Sequence, residues 1–223
     1  MTRINLIDNL RGIAFIFMII QHIFYFYDVS NNHITTYSNN SIIQLFGTIA
    51  RTLFIFLAGC SIVLNYKKNK KNFKKNKFKR TIEILIHALI ITITTYILYP
   101  NSFIRFGILH FIGISSIICS FIVPYPKLYI LFILFFSLIT PPKINTFIDT
   151  ITGSNAHYNM IDWFPLFNWI PLMLFGMLFT KNFNFDIIKV SENKFLSYLS
   201  NNSLNLYTSH VILFNLFFYK INN

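Results

Sequence analysis

Apolar stretches approaching the roughly 20 residues that a helix needs to cross a hydrocarbon core recur along the whole chain, separated by short polar segments. We read seven of them, at Leu10–Tyr27, Ile42–Tyr66, Thr81–Tyr99, Phe106–Val123, Leu128–Ile139, Trp163–Thr180 and Phe195–Tyr219. The fifth is the shortest and runs into Pro141-Pro142, where helix continuation is blocked. Little chain is left between the runs, so the pattern predicts one all-α, polytopic membrane bundle over residues 1–223, with about seven transmembrane helices and no separate soluble domain. The first run follows a charged start and lacks a small-residue cleavage site, which predicts an anchor that stays in place.

Composition agrees with the pattern. Apolar residues make up 54% of the 223 and charged ones 12%, too little polar surface to cover a soluble globule. The net charge of +12 would suggest a nucleic-acid partner were it spread over a face. It is not: nine of the 19 cations fall in the basic loop Lys67–Arg80, and without them the charge is +3. That loop follows the second apolar run, so the positive-inside rule puts it, and with it the N-terminus bearing Arg3 and Arg11, on the cytoplasmic side. Lys127 and the 181–194 stretch fall on the same side, while 28–41, 100–105 and 141–162 face outward. Trp163, Trp169, Tyr158 and Tyr99 sit where an interfacial aromatic belt is expected. Cys60 and Cys119 lie inside apolar runs, which argues against a disulfide framework. None of the six histidines belongs to a close ligand pair and carboxylates are few, so no metal is expected. A lipid bilayer is the expected partner and nucleic acid is not; a homodimer is compatible with the sequence.

Ionisable side chains inside spans are costly and therefore candidates for function. They are His22, Arg51, Glu83, His87, Arg105, His110 and His210. Asp8, Arg11 and His22 stand three and eleven residues apart, so all three project from nearly one helix face, with about 16 Å between Arg11 and His22. An anionic donor held by Arg11 at the cytoplasmic end would reach His22 with its far end. Imidazole exchanges protons near neutral pH and suits removal of a proton from an attacking hydroxyl or amine. The alternatives are a histidine bonded between helices for packing and an arginine that only anchors topology. Arg105 and His110 flank Gly107 at the outer start of the fourth run. Ser203, Tyr207 and His210, spaced four and three apart, make a polar stripe that must face the bundle interior. His33 and Asp28 in the first outer loop and Asp162 before Trp163 complete the candidates.

Five segments, in order along nearly the whole chain, carry a family resemblance: Ile7-Asp8-Asn9-Leu10-Arg11-Gly12 with Met18 and His22; Phe54-Ile-Phe-Leu-Ala-Gly59-Cys-Ser61; Arg105-Phe106-Gly-Ile-Leu-His110-Phe-Ile-Gly113; Asp162-Trp163-Phe164-Pro165 with Trp169 and Gly176; and Ser203-Leu-Asn-Leu-Tyr207 with His210. The set resembles the catalytic-domain family of heparan-alpha-glucosaminide N-acetyltransferase and its short microbial relatives. The resemblance implies acetyl transfer from cytoplasmic acetyl-CoA to an acceptor, often a sugar or glycan, at the outer face. The related membrane O-acyltransferases share the Arg-x10-His pattern of Arg11 and His22, and there the histidine is catalytic. In the human-type member the essential histidine lies in the first outer loop eleven positions beyond an asparagine, a pair that falls here on His22 and His33. A more typical Gly-Arg-His/Asn-Ser-Leu before the last span reads Ser200-Asn201-Asn202-Ser203-Leu204, without the arginine. We expect His22 as general base or acyl carrier, with His33 competing for the role. Asp8, Arg11, Arg51, Arg105 and His110 are expected on the donor, and Asp28, Asp162, Trp163, Ser203, Tyr207 and His210 around the acceptor. The alternative is a non-catalytic membrane protein, either a transporter of an anionic small molecule or a scaffold descended from the enzyme.

Overall fold

The computed structural model describes residues 4–30, 36–138, 152–153, 162–188 and 190–222. Eight α-helices occur among them: α1 (Asn5–Ser30), α2 (Ser41–Lys68), α3 (Phe73–Leu98), α4 (Ile108–Ile122), α5 (Pro126–Leu138), α6 (Leu166–Asn182), α7 (Lys194–Asn201) and α8 (Ser203–Asn222). Among the described residues α1 through Asp28, α2 and α3 are long and apolar enough to cross a membrane, while α4 and α5 are shorter apolar helices.

Two elements differ from the expectation. The basic run 67–80 is mostly helix rather than loop, because α2 continues through Lys68 and α3 begins at Phe73, leaving only residues 69–72 between them. Hydropathy marks where lipid begins, whereas lysine is a good helix former that lets the helix run on into water. The last apolar run is broken in two at Asn202, between α7 and α8. Asn201, Asn202 and Ser203 compete for backbone hydrogen bonds and so favour a break. The Asn193 side chain caps α7 by accepting from the Phe195 and Leu196 N–H groups, both at 3.1 Å.

Hydrogen bonds fix the helix directions. Lys67 Nζ at the end of α2 donates to Thr180 O at the end of α6 (2.9 Å), so these two helices run parallel. The start of α6 meets the start of α4, where Phe106 and Trp163 form a parallel bridge and Phe164 N–H donates to Phe106 O (2.9 Å). His22 and His210 meet midway along α1 and α8, and Arg11 and Ser203 line one cavity nearer their N-termini, which makes that pair parallel as well. The α2–α6 contact is the most extensive in the bundle. It depends on Gly59 and Gly176, since a Cβ on either would run into the backbone carbonyl of Met173 or Phe56 on the facing helix. Cys60 Sγ donates across this crossing to Gly176 O at 3.4 Å.

The interior holds Ile55, Ile62, Phe111, Ile170, Met173, Leu174 and Met177, all fully buried. The outward faces are apolar too: Ile82, Ile86, Leu89, Ile93 and Ile97 of α3 and Leu213, Leu216 and Phe217 of α8 are exposed. A soluble bundle would put polar groups there; lipid accepts them as they are.

Candidate active site

The N-terminal end of α1 and the C-terminal end of α7 enclose a small polar network. Asp8, which is buried, accepts from Ser200 Oγ at 3.0 Å and pairs with Arg11 at 3.6 Å. The Arg11 guanidinium donates to Ser200 Oγ (3.2 Å) and to Ser61 Oγ (2.8 Å). Three helices, α1, α2 and α7, are thereby joined at one cation. Arg11 lines a cavity of about 290 Å³ together with Lys77, Arg80, Asn65, Ser116 and Ser203. Ser116 Oγ is fully buried and has no hydrogen-bond partner among the described residues.

Further along α1 lies a second cavity of about 630 Å³, lined by His22, Gln21, Tyr25, Arg51, Asp162 and Trp163 among others. Phe54, Ile108 and Tyr207 line both cavities and therefore stand between them. His22 is half-buried; its Nδ1 lies 2.9 Å from Nε2 of His210, whose Nδ1 is in turn 3.0 Å from Leu206 O. Tyr207 and Asp162 line this cavity together. Asp162 sits in the segment before α6, outside the helices. Loss of hydration pushes its carboxyl up from 3.8 to about 6, against the opposing pull of the Ile108 N–H, of Arg51 and of Tyr207.

Other sequence candidates take different positions. Arg51 belongs to the His22 cavity, not to the Arg11 cavity where a donor clamp was expected, and donates to Thr48 Oγ1 at 2.8 Å. His110, expected on the donor, lines neither cavity. Its Nδ1 accepts the Gly107 N–H (3.2 Å) at the start of α4, so Nε2 carries the proton and donates to Thr92 Oγ1 (3.2 Å). Arg105 also lines neither cavity and stacks its guanidinium on Phe103, 4.5 Å from the ring centroid. Asp28, expected around the acceptor, is fully buried and accepts the N–H groups of Tyr37 (3.1 Å) and Ser38 (2.6 Å), which holds the loop carrying Ser38 and Asn39 over the larger cavity. Ser203 opens on the Arg11 cavity and Tyr207 on both. Asp162 caps α4 by accepting the Ile108 N–H at 3.1 Å, and Gly107 is required beside it because a Cβ there would press on the carboxylate. Trp163 Nε1 donates to Gly153 O at 2.6 Å. His33 lies outside the described residues. Lys77 and Arg80 were hidden in a charge run that topology alone explained, and Ser116 and Ser200 carried no signal beyond being serines.

Among the described residues no group of three or more His, Cys, Asp or Glu could hold a metal ion.

Helices with apolar outward faces around two adjacent cavities define an integral membrane protein with an internal site. The chain belongs to the family described as heparan-alpha-glucosaminide N-acetyltransferase, catalytic, whose model matches residues 3–212. This is a family of membrane acetyltransferases, and the resemblance carried by the five motifs is borne out. No curated protein and no solved structure matches the chain.

Proposed function

We propose that this single-domain chain crosses the membrane about seven times with its N-terminus in the cytoplasm and moves an acetyl group from cytoplasmic acetyl-CoA to a hydroxyl or amine of a sugar or glycan acceptor at the outer face. The observation that carries this reading is the pair of adjacent cavities that share Phe54, Ile108 and Tyr207 as lining, one with three cations and the other with a histidine. Orientation is supported by the basic run, since Lys67, Lys77 and Arg80 lie at the end of the bundle that holds Arg11.

Acetyl-CoA is a co-substrate with an anionic, phosphate-bearing end and a thioester at the other. The smaller cavity suits the anionic end: Arg11, Lys77 and Arg80 supply charge, Ser61, Ser200 and Ser203 supply hydroxyls, and Ser116 offers a buried donor that has no partner among the described residues. The larger cavity suits an acceptor, with Trp163 as an apolar platform and Gln21, Arg51 and Asp162 as polar contacts. His22 would take the proton from the acceptor hydroxyl or amine as its oxygen or nitrogen attacks the acetyl carbon. It would return that proton to the departing sulfur, so that the carbon exchanges its C–S bond for a C–O or C–N bond. Tyr207, standing between the cavities, would line the path of the acetyl group.

A base in this position contributes about 10²–10⁴-fold to rate. Purified full-length protein in lipid nanodiscs, given labelled acetyl-CoA and a panel of sugar acceptors, should transfer label, and His22→Ala should lose that factor while inserting normally. Full activity in His22→Ala together with loss in His33→Ala would move the role to His33. A protein that neither binds acetyl-CoA at millimolar concentration nor transfers label to any acceptor would leave the transporter or scaffold reading in its place.

A further inference from the structure

A histidine can serve as base from either ring nitrogen, and which one is free depends on what holds the other. We propose that His210 is a positioning residue that fixes His22 in the Nδ1–H tautomer and so leaves His22 Nε2 as the nitrogen able to accept a proton. The inference rests on the assignment of His22 as the base.

The chain of hydrogen bonds has a definite starting point. Leu206 O is a backbone carbonyl and can only accept, so His210 Nδ1, 3.0 Å away, carries a proton. A neutral ring protonated at Nδ1 presents a lone pair at Nε2. That lone pair lies 2.9 Å from His22 Nδ1, which must therefore be the donor. The remaining nitrogen of His22, Nε2, then holds a lone pair, on a half-buried ring that lines the larger cavity.

The arrangement is held from several sides. The two imidazoles lie nearly parallel, 21° apart in plane with centroids at 5.1 Å. The His210 ring is enclosed by edge contacts with Phe15 at 5.9 Å, Tyr207 at 5.3 Å and Phe214 at 5.6 Å. Its anchor, Leu206, is one turn back on α8, so the orientation of His210 comes from the helix's own backbone. His22 meets Phe26 on its own helix and Tyr207 on α8, with Arg51 and Asp162 lining the same cavity. When His22 Nε2 gains a proton, Nδ1–H keeps its neutral acceptor, so the ring need not turn in mid-reaction. A carboxylate in the place of His210 would hold His22 as a cation; a neutral imidazole orients it and leaves it a base.

The test uses the full chain in lipid nanodiscs with ¹⁵N-labelled histidine, reading the ring nitrogens of His22 by NMR, with its signals assigned by their loss in His22→Gln. The wild-type protein should show His22 protonated at Nδ1 and bare at Nε2. In His210→Leu the lock is gone and the Nε2–H form should appear. His210→Gln, which puts an amide oxygen near the position of Nε2, should restore the Nδ1–H form. In parallel, His210→Leu should lower kcat by about 10²-fold, as for other partners that orient a histidine, with KM for acetyl-CoA and for acceptor within about twofold. His210→Gln should recover most of that loss. A wild-type His22 protonated at Nε2, or a His210→Leu protein with unchanged tautomer and unchanged kcat, would overturn the proposal. Should His210→Leu fail to fold, the wild-type tautomer and His210→Gln decide the matter. If His22 is Nδ1–H but His22→Ala still transfers acetyl groups, the assignment of the base fails and the tautomer lock stands.

Discussion

Replacing Arg11 by Met tests whether the network at the N-terminal end of α1 is structural, functional or both. The substitution keeps most of the side chain's apolar length and removes the donors to Ser61 and Ser200. It also removes the Arg11 partner of the Asp8 carboxylate, which is only 8% exposed at its side chain and keeps the Ser200 hydroxyl. An exposed ion pair is worth about 0–1 kcal/mol and breaking a buried one costs about 3–5 kcal/mol. With the Arg11 side chain 24% exposed, this pair falls between, and we expect a loss of about 2 kcal/mol. Part of the loss should arise from the weakened neutralisation of a buried carboxylate, so Asp8→Asn combined with Arg11→Met should be more stable than the sum of the two single effects predicts, by about 1 kcal/mol. Unfolding titrations of the four proteins in mixed micelles measure the cycle. The same proteins, assayed for transfer, should show a raised KM for acetyl-CoA whenever Arg11 is absent, even where stability has returned. Additive stability effects would refute the coupling, and a restored KM in the double variant would refute direct contact between Arg11 and the donor.

Gly59→Ala should destabilise the protein by about 1–3 kcal/mol, the usual cost of overpacking, because its Cβ meets the Met173 carbonyl on α6; thermal unfolding in detergent measures it, and an unchanged midpoint would contradict the close crossing of α2 and α6. Lys77→Met and Arg80→Met, half-buried and exposed, should each raise KM for acetyl-CoA about two- to fivefold at low salt, with kcat unchanged and the difference shrinking as salt is added. Asp162 has a folded-state pKa raised to about 6 from 3.8, so its contribution favours folding at low pH and is lost as pH rises through about 6. The thermal midpoint of wild type should therefore fall between about pH 4 and 6 relative to that of Asp162→Asn, which keeps an acceptor for the Ile108 N–H; parallel curves would count against the raised value.

How much of this was legible in the chain itself depends on the range over which each feature is encoded. The register of Asp8, Arg11 and His22 could be read directly, because one helix with 3.6 residues per turn converts spacing into direction. The polar stripe of Ser203, Tyr207 and His210 was visible for the same reason, and Tyr207 and His210 both turn inward. What the stripe touches was not visible, since the meeting of His210 with His22 needs α1 and α8 to lie parallel at matched height. Arg105 and His110 looked like site residues because they are ionisable groups at a span's outer end; the loop between α3 and α4 uses His110 to cap a helix and stacks Arg105 on Phe103. Lys77 and Arg80 carry no such signal, for the opposite reason. A dense basic run has a sufficient explanation in topology, and only the turn of α3 shows that two of its members face a cavity.

Local chemistry and periodicity thus determined that this is an all-α membrane protein, which stretches are apolar helix, and that α1 carries a cation and an imidazole on one face. These properties follow from the cost of exposing backbone and charge to lipid, which acts on each segment separately. Tertiary structure alone decided that the cation and the imidazole belong to two cavities meeting at Phe54, Ile108 and Tyr207. It also decided that a backbone carbonyl on α8 is linked through His210 to an imidazole ring on α1. Such contacts join residues nearly 190 positions apart, and no spacing rule along the chain reaches that far.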